Sequence, residues 1–243
     1  MTRPHAAPRL LAIGAHPDDV ELAFGGLLGR ARRAGLAIAI VDLTAGEAGR
    51  RGGAPLRLAE AAGAGRALGA ASRRCLHFAD GDLARCEALT PALVSLLRTE
   101  EPALVLGHAD FDPHDDHRAA ARALAEARAI LGARAPAELC GAPARMPETY
   151  PAPPPTLRLQ LDADEYAAKR AAIALHRSQL DPADAEDTGA HLPGGLHILD
   201  RADGVALHFG RGFPSGRGEP LWCRDGAGLA RLFELGLAGS HDG

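Results

Sequence analysis

The sequence predicts an α/β fold, with a Rossmann-like, mostly parallel sheet covered by helices on both faces and folded as a single domain. Short apolar runs of strand length alternate with longer segments in which apolar residues recur at helical spacing. The strands are apolar almost throughout, as in LAIAIVDLT at 36–44, which is typical of strands buried on both faces. The 243 residues, 47% of them hydrophobic, are enough to bury one large core.

Four strand–helix pairs follow one another between residues 9 and 131. The first pair is a strand at 9–15 (RLLAIGA) and a helix from Val20 to Gly35. Three more pairs are predicted: a strand at 36–44 with a helix from Leu56 to Gly69, a strand at 74–80 with a helix at 90–101, and a strand at 102–110 with a helix at 117–131. Because a helix follows each strand, neighbouring strands are expected to run parallel.

The alternation weakens after Leu131. The Pro-rich segment 141–156 is interpreted as a surface connector, although it also has the composition of a domain boundary. A last strand near LRLQLD and a helix from Asp164 to Leu180 complete a core made of 9–131 and 157–180. The remainder, 181–243, is rich in Gly, Pro and Asp in its first half and is predicted to be loop-rich, with a short strand and a possible lid.

Charge and composition exclude several classes of function. The formal net charge of −4 offers no broad basic surface, so no nucleic-acid partner is expected. The N-terminal apolar run is short and interrupted, which predicts neither a signal peptide nor a membrane span, and hence a cytoplasmic protein without a membrane partner. The chain has four cysteines, Cys75, Cys86, Cys140 and Cys223. None of them are in C-x-x-C spacing, so the sequence indicates neither a thiolate zinc site nor a disulfide framework.

Polar residues collect where the predicted strands end. In an open parallel sheet, ligands bind at the carboxyl ends of the strands, so residues that follow different strands are expected to face one crevice. The four loops contribute these candidates: His16, Asp18 and Asp19; Asp42, Thr44 and Glu47; Asp80 and Asp82; His108, Asp110, Asp112, His114, Asp116 and His117.

The first loop reads HPDD at 16–19. Pro17 suits the first turn of a helix, and His16 and Asp19, three residues apart, can converge on one point. Asp18 must then point elsewhere, which gives two metal ligands and one free carboxylate able to act as a base. Capping of a helix N-terminus explains a single aspartate here, but not the histidine with two aspartates.

The second cluster lies at 108–123 (HADFDPHDDHRAAARA). Two histidines and one carboxylate leave a position open on zinc, which is typical of a catalytic site. Spacing alone allows either His114 or His117 to be the missing ligand, and His108 is a third candidate, better explained as a strand-end residue that supports the ligands.

These motifs resemble the PIG-L/LmbE-like family of zinc-dependent de-N-acetylases. The resemblance is carried by AHPDDVE near the N-terminus, TAGE after the second strand, RLAEA in the next helix and HDDH, and it covers 10–131 and resumes at KRAAIALHRSQ, 169–179. Within the family, DLTAGE, FADGDL and the K…SQ helix are most similar to the deacetylases of bacillithiol biosynthesis, which act on N-acetylglucosaminyl malate.

The resemblance implies a role for individual residues. It implies that three residues bind a zinc ion: His16, Asp19 and His117. Fe²⁺ is an alternative metal for the same site. The resemblance makes Asp18 the general base, and it makes His114, in its protonated form and oriented by Asp116, the group that stabilises the oxyanion or protonates the leaving amine. Asp115 stands where the family has proline, which adds a carboxylate that is expected to raise the pKa of a nearby imidazole.

The same resemblance places three residues near the substrate. Glu47 and Arg57 match positions beside the sugar or an acidic aglycone, and Asp82 is a candidate for binding sugar hydroxyls. A solvated helix-start residue explains Arg57 equally well. The expected partner is a small N-acetyl sugar, and the expected assembly is a homo-oligomer.

Two other classes of function compete with this interpretation. One is a deacetylase of another amide or N-acetyl sugar, such as a mycothiol precursor, a chitooligosaccharide or an antibiotic sugar. The other is a non-catalytic nucleotide- or sugar-binding protein, against which the first loop lacks the glycines of G-x-G-x-x-G.

Overall fold

The computed structural model describes residues 9–49, 52–142, 153–180 and 198–238. The strands are β1 Arg9–Gly14, β2 Ala37–Thr44, β3 Ser72–Phe78, β4 Leu104–His108, β5 Ala137–Gly141, β6 Leu157–Gln160 and β7 Gly218–Leu221. The α-helices are α1 Asp19–Arg33, α2 Gly53–Ala67, α3 Leu89–Glu100, α4 Asp115–Leu131, α5 Ala163–Ile173, α6 Ile198–Phe209 and α7 Ala227–Glu234. Short 3-10 helices lie at Leu83–Arg85, Gly132–Arg134 and Arg177–Gln179.

The main sheet has five strands in the order β3-β2-β1-β4-β5, and every pair is parallel. Side chains of β1 alternate between its faces, so that Leu10 packs in the core layer of α1, α5 and α7, and Leu11 packs in the layer of α3 and α4. The single-domain α/β fold with helices on both faces is therefore confirmed. The strand order reverses between β1 and β4, which puts the loops after β1 and β4 side by side.

The C-terminal part differs from the prediction. It contains α6, β7 and α7 rather than loop alone, and α6 covers 198–209, where a loop with a short strand was expected. The predicted last strand, β6, lies outside the main sheet and pairs antiparallel with β7, with Leu157 opposite Leu221. Its partner lies about sixty residues further along the chain, so the local pattern could not indicate this pairing.

Two further elements were predicted incorrectly or not at all. Strand β5 was not predicted, because the buried Glu138 interrupts its apolar run; Arg128 Nη1 donates to this carboxylate at 2.8 Å. The helix expected to reach Leu180 ends at Ile173. Most of the Pro-rich connector, 143–152, and the first part of the possible lid, 181–197, lie outside the described residues.

A pair of glycines lets α1 approach the small sheet and α5. A Cβ on Gly26 would lie 2.5 Å from the Leu161 side chain, and one on Gly25 would lie 2.8 Å from Lys169 Cγ. The buried Glu219 lies at the same contact and accepts hydrogen bonds from the Gly26 and Leu27 amides, and Lys169 Nζ lies 2.7 Å from its carboxylate. This packing fixes α1, whose first residue is Asp19.

Among the described helices, none is long and apolar enough to cross a membrane.

Candidate metal centre

Side chains from the loops after β1 and β4 meet at the carboxyl end of the sheet, as the strand-end pattern predicts. His16 Nδ1 lies 3.2 Å from His117 Nε2, and the Asp19 carboxylate lies 3.2 Å from His117 Nε2 and 3.4 Å from His16 Nδ1. With zinc–ligand bonds of about 2.0–2.1 Å, neighbouring ligands of a tetrahedral ion are about 3.3 Å apart. The two imidazoles and one carboxylate therefore have the separations that a shared zinc ion requires.

Carboxylates hold the outer ring nitrogen of each imidazole. His16 Nε2 lies 2.9 Å from Asp80 Oδ1 and 3.3 Å from Asp116 Oδ2, and His117 Nδ1 lies 3.0 Å from Asp112 Oδ1. Histidines that bind metals characteristically donate their other N–H to a carboxylate, which fixes the tautomer and directs the remaining lone pair at the ion. The arrangement around His16 and His117 thus fits a cation site.

The pKa values of His16 and His117 also indicate a site that attracts positive charge. Burial lowers the pKa of His117, but Asp19 and Asp112 outweigh burial and raise it to about 9. Burial likewise opposes protonation of His16, yet hydrogen bonds to Asp116, Asp19 and Asp80 raise its pKa well above the ordinary value. The buried carboxylates thus attract positive charge, which protons supply in the metal-free protein and a divalent cation supplies better.

Zinc binding at pH 7 is therefore expected to release about one to two protons per ion, because raised pKa values keep His16 and His117 protonated until the metal arrives. The apparent affinity should rise with pH up to about 9, the pKa of His117. Titration calorimetry in two buffers of different ionisation enthalpy measures the protons released. A binding enthalpy that is independent of the buffer at pH 7 would contradict this expectation.

His108 supports the centre from below. Its Nε2 accepts a hydrogen bond from the Ala15 amide at 2.9 Å and lies 3.3 Å from Asp19 Oδ2, and its ring stacks on His117 with centroids 4.2 Å apart. Because the lone pair on Nε2 is already used by the Ala15 amide, His108 is not free to bind a metal, and it supports the centre by stacking on His117. The described residues nonetheless contain three overlapping groups whose candidate ligand atoms lie within 4.8 Å of one another: His16, His114 and His117; Asp19, His108 and His117; His16, Asp80 and Asp116.

Asp18 caps α1 in a strained conformation, with φ 117° and ψ −27°. Positive φ is rare for a residue with a side chain and is characteristic of functional sites, where surrounding contacts maintain it. Its carboxylate is buried, lies 3.5 Å from Arg57 Nη2, and belongs to none of the ligand groups. Burial raises the pKa of Asp18, as suits a base.

His114 lies beside the centre as a neutral imidazole. It is the N-cap of α4, its Nδ1 accepts a hydrogen bond from the Asp116 amide at 3.2 Å, and its ring stacks on His117 with centroids 4.5 Å apart. Burial and the neighbouring His117 and His16 lower its pKa to about 4. The lowered pKa favours the neutral ring, in which Nδ1 accepts from the Asp116 amide and the N–H is on Nε2. The protonated role of His114 in the reaction stays a prediction.

Asp116, the predicted orienting partner of His114, contacts that ring through its main-chain amide, whereas its carboxylate is directed elsewhere. It accepts hydrogen bonds from the Gly81 and Leu83 amides at 2.7 and 3.1 Å and lies 3.3 Å from His16 Nε2. Asp116 therefore fixes the loop after β3 against His16. Only its main-chain amide contacts His114.

The three predicted substrate residues have different surroundings. Arg57 is buried, and its Nη atoms donate to Gly46 O at 3.0 Å and Pro17 O at 2.9 Å. Glu47 is exposed at the mouth of the centre and accepts a hydrogen bond from the Asp80 amide at 3.0 Å. Asp82 is exposed and pairs with Arg85 at 3.0 Å, so the structure does not bring it into the centre.

Two strand-end residues serve the fold instead of the centre. Asp42 accepts two hydrogen bonds from Arg73, at 2.7 and 2.8 Å, and Thr44 Oγ donates to Ala15 O at 2.9 Å.

The added carboxylate at Asp115 is 80% exposed and pairs with Arg118. Neither Asp42 nor Asp115 contacts a histidine of the centre among the contacts of the described residues.

Comparisons with known proteins find several proteins that this chain resembles. A family model described as PIG-L, GlcNAc-PI de-N-acetylase, matches residues 11–128, which include both ligand loops. The chain is 30% identical over 175 residues to the uncharacterized deacetylase YaiS of Escherichia coli, spanning 70% of this chain and 90% of that protein. It is 28% identical over 120 residues to the diacetylchitobiose deacetylase of Thermococcus kodakarensis, spanning 45% of each. The crystal structure of the conserved protein TT1542 from Thermus thermophilus superposes with a TM-score of 0.72 and 28% identity, covering 88% of this chain and 93% of that one.

Proposed function

Because the chain belongs to the PIG-L family and is a hydrolytic N-deacetylase, we propose that it removes the acetyl group from a small N-acetylglucosamine conjugate, releasing acetate and a free amine. The observation that carries the proposal is the convergence of His16 Nδ1, His117 Nε2 and the Asp19 carboxylate within 3.2–3.4 Å, beside a buried aspartate that is not a ligand. A diacetylchitobiose deacetylase among the relatives supports a sugar substrate.

We propose that His16, Asp19 and His117 hold a zinc ion, for which Fe²⁺ is the alternative. The fit rests on the ligand separations and on the carboxylates behind both imidazoles. When bound, the cation supplies Lewis acidity, which polarises the acetamide carbonyl and acidifies the attacking water. Three protein ligands would leave a coordination position open, as catalytic zinc sites do.

The chain's own residues then move the protons. Asp18 accepts a proton from the attacking water, and the C–O bond formed at the carbonyl carbon gives a tetrahedral oxyanion. The Nε2–H of neutral His114 donates a hydrogen bond to that oxygen, since its Nδ1 is held by the Asp116 amide. Asp18 returns its proton to the nitrogen as the C–N bond breaks.

The finer substrate assignment is N-acetylglucosaminyl malate, the substrate implied by the resemblance of DLTAGE, FADGDL and the K…SQ helix to the deacetylases of bacillithiol biosynthesis. Malate would bring two carboxylates to the mouth of the centre. Glu47 is exposed, and its carboxylate would repel this acid, which favours the sugar as the part of the substrate that Glu47 contacts.

The experiment is metal analysis of the purified protein, followed by assays of acetate release from a panel of N-acetyl sugars. The panel contains N-acetylglucosaminyl malate, diacetylchitobiose and free N-acetylglucosamine. One equivalent of metal with preferred turnover of the malate conjugate supports the full proposal. Preferred turnover of another sugar replaces the substrate assignment, and a metal-free protein without acetate release on any member rejects the function.

A His114→Ala variant is expected to keep its metal and to lose about 10²- to 10³-fold in kcat, the effect of removing one oxyanion donor. Metal content and acetate release are measured on the same preparation. Loss of metal would show instead that His114 is a ligand, which its membership of a group with His16 and His117 makes a direct alternative.

A further inference from the structure

Arg57 has surroundings that a substrate-binding arginine would not have. Its side chain is 7% exposed, and both terminal nitrogens already donate to backbone carbonyls, Nη1 to Gly46 O and Nη2 to Pro17 O. Nη2 also lies 3.5 Å from Asp18 Oδ2. The Nε donor is buried and has no hydrogen-bond partner among the described residues, so little of this guanidinium is available to a molecule in the crevice.

The loop after β2 is built around the Arg57 side chain. Gly46, with φ +70°, leaves the space in which a Cβ would lie 2.1 Å from Arg57 Nη1, and a Cβ on Gly49 would lie 3.0 Å from the same atom. Gly52, with φ +91°, passes so close that its Cβ would lie 3.2 Å from Arg57 Cγ. Three glycines thus surround one arginine, and a residue with a side chain at Gly46 would displace the guanidinium.

The helix that carries Arg57 is itself anchored one turn later. The carboxylate of Glu60 accepts two hydrogen bonds from Ser178, one from the amide at 2.8 Å and one from the hydroxyl at 2.6 Å. Arg57 and Glu60 lie three residues apart on α2, so fixing one limits the movement of the other. The SQ motif at 178–179 therefore stabilises the helix turn from which Arg57 extends.

We propose that Arg57 is a positioning residue, which holds the strained Pro17–Asp18 peptide and thereby keeps the Asp18 carboxylate directed at the reaction centre. The inference rests on the proposed function, in which Asp18 is the base. Asp18 has φ 117°, a conformation that surrounding contacts must maintain, and the bond from Arg57 to Pro17 O acts on the peptide immediately before it. The substrate-binding role expected from the sequence is replaced by this one.

The test is the kinetic analysis of Arg57→Ala. Loss of positioning is expected to lower kcat about 100-fold while KM and metal content stay at the wild-type values. Guanidinium added to the solution should restore part of the lost turnover. Arg57→Lys should remain impaired, since one ammonium group cannot reproduce the planar fork. Arg66→Ala, an exposed arginine of the same helix, is the matched control and should leave kcat unchanged.

Gly46→Ala provides an independent approach to the same contact. Its Cβ is expected to expel Arg57 and to reproduce the fall in kcat, and the double variant Gly46→Ala/Arg57→Ala should fall no further than the more impaired single variant. Additive losses would overturn the proposal, as would a raised KM with unchanged kcat, unchanged turnover, or loss of metal. If Arg57→Ala does not fold, the kcat, KM and metal content of Arg57→Lys and Gly46→Ala test the positioning role instead.

A crystal structure of metal-loaded Arg57→Ala gives a readout that does not need activity. Release of the Pro17 carbonyl should let Asp18 relax to negative φ, and an unchanged positive φ would contradict the positioning role. Wild-type inactivity on the whole sugar panel would reject the proposed function alone, since the conformation of Asp18 still reports on Arg57.

Discussion

An Asp18→Asn variant is expected to retain one equivalent of metal and to lose about 10²- to 10⁴-fold in turnover, the range typical of a missing general base. The amide has nearly the size of the carboxylate and keeps an oxygen toward Arg57, but it cannot accept a proton from water. The metal should remain because the proposed ligands, His16, Asp19 and His117, contact one another without Asp18. Metal analysis and acetate release on one preparation check both statements.

Two further variants test whether the loss of turnover is specific to Asp18. Asp19→Asn should weaken metal binding, because the Asp19 carboxylate lies within 3.4 Å of both ligand nitrogens and loses its charge in the variant. Asp115→Asn is the matched control, since this carboxylate is 80% exposed and pairs with Arg118, and it should leave turnover unchanged. Loss of metal from Asp18→Asn would exchange the roles of Asp18 and Asp19, and undiminished turnover would remove Asp18 from the mechanism.

The sequence predicts the first part of the fold because each element there has a periodicity of its own. β1 to β4 and α1 to α4 lie close to their expected positions, with shifts of up to a few residues at their ends. The prediction fails where structure depends on a distant partner. The buried Glu138 of β5 is paired with Arg128 and lies near Arg224, both distant in the sequence or on another element, and β6 pairs with β7.

The same distinction applies to the centre. The rule that ligands gather at strand ends predicts which loops meet, and it correctly brings His16, Asp19 and His117 together. It cannot decide which way each carboxylate faces. Asp80 follows β3 and Asp42 lies near the end of β2, but Asp80 contacts His16, whereas Asp42 pairs with Arg73 from the neighbouring strand. Arg57 resembles a solvated helix-start residue in the sequence, since its burial depends on the fold of a glycine loop before it.

Replacing Arg73 with methionine is expected to lower the free energy of unfolding by about 3–5 kcal/mol, the cost of leaving buried charges without their partner. The Arg73 guanidinium is 6% exposed and binds two fully buried carboxylates, Asp42 on β2 and Glu21 on α1. Glu21 also lies 3.2 Å from the ring of His176, which is 0% exposed. Methionine fills similar space but leaves both carboxylates to a single imidazole. Urea unfolding at pH 7 measures the loss.

The pH dependence of this loss distinguishes charge from packing. Burial alone would raise the pKa of Glu21, but Arg73 and His176 lower it to about 2. A lowered pKa in the folded state contributes stability above the unfolded value of about 4.5 and loses it as the pH falls toward 2. In Arg73→Met the carboxyl regains a pKa above its ordinary value of about 4.5, so the difference from wild type should be largest at neutral pH and should shrink as the pH falls from that raised pKa toward 2. Arg74→Ala, an exposed neighbour paired with Glu100, should cost less than about 1 kcal/mol. A loss that stays constant between pH 7 and pH 3 would show that Arg73 stabilises the fold through packing alone.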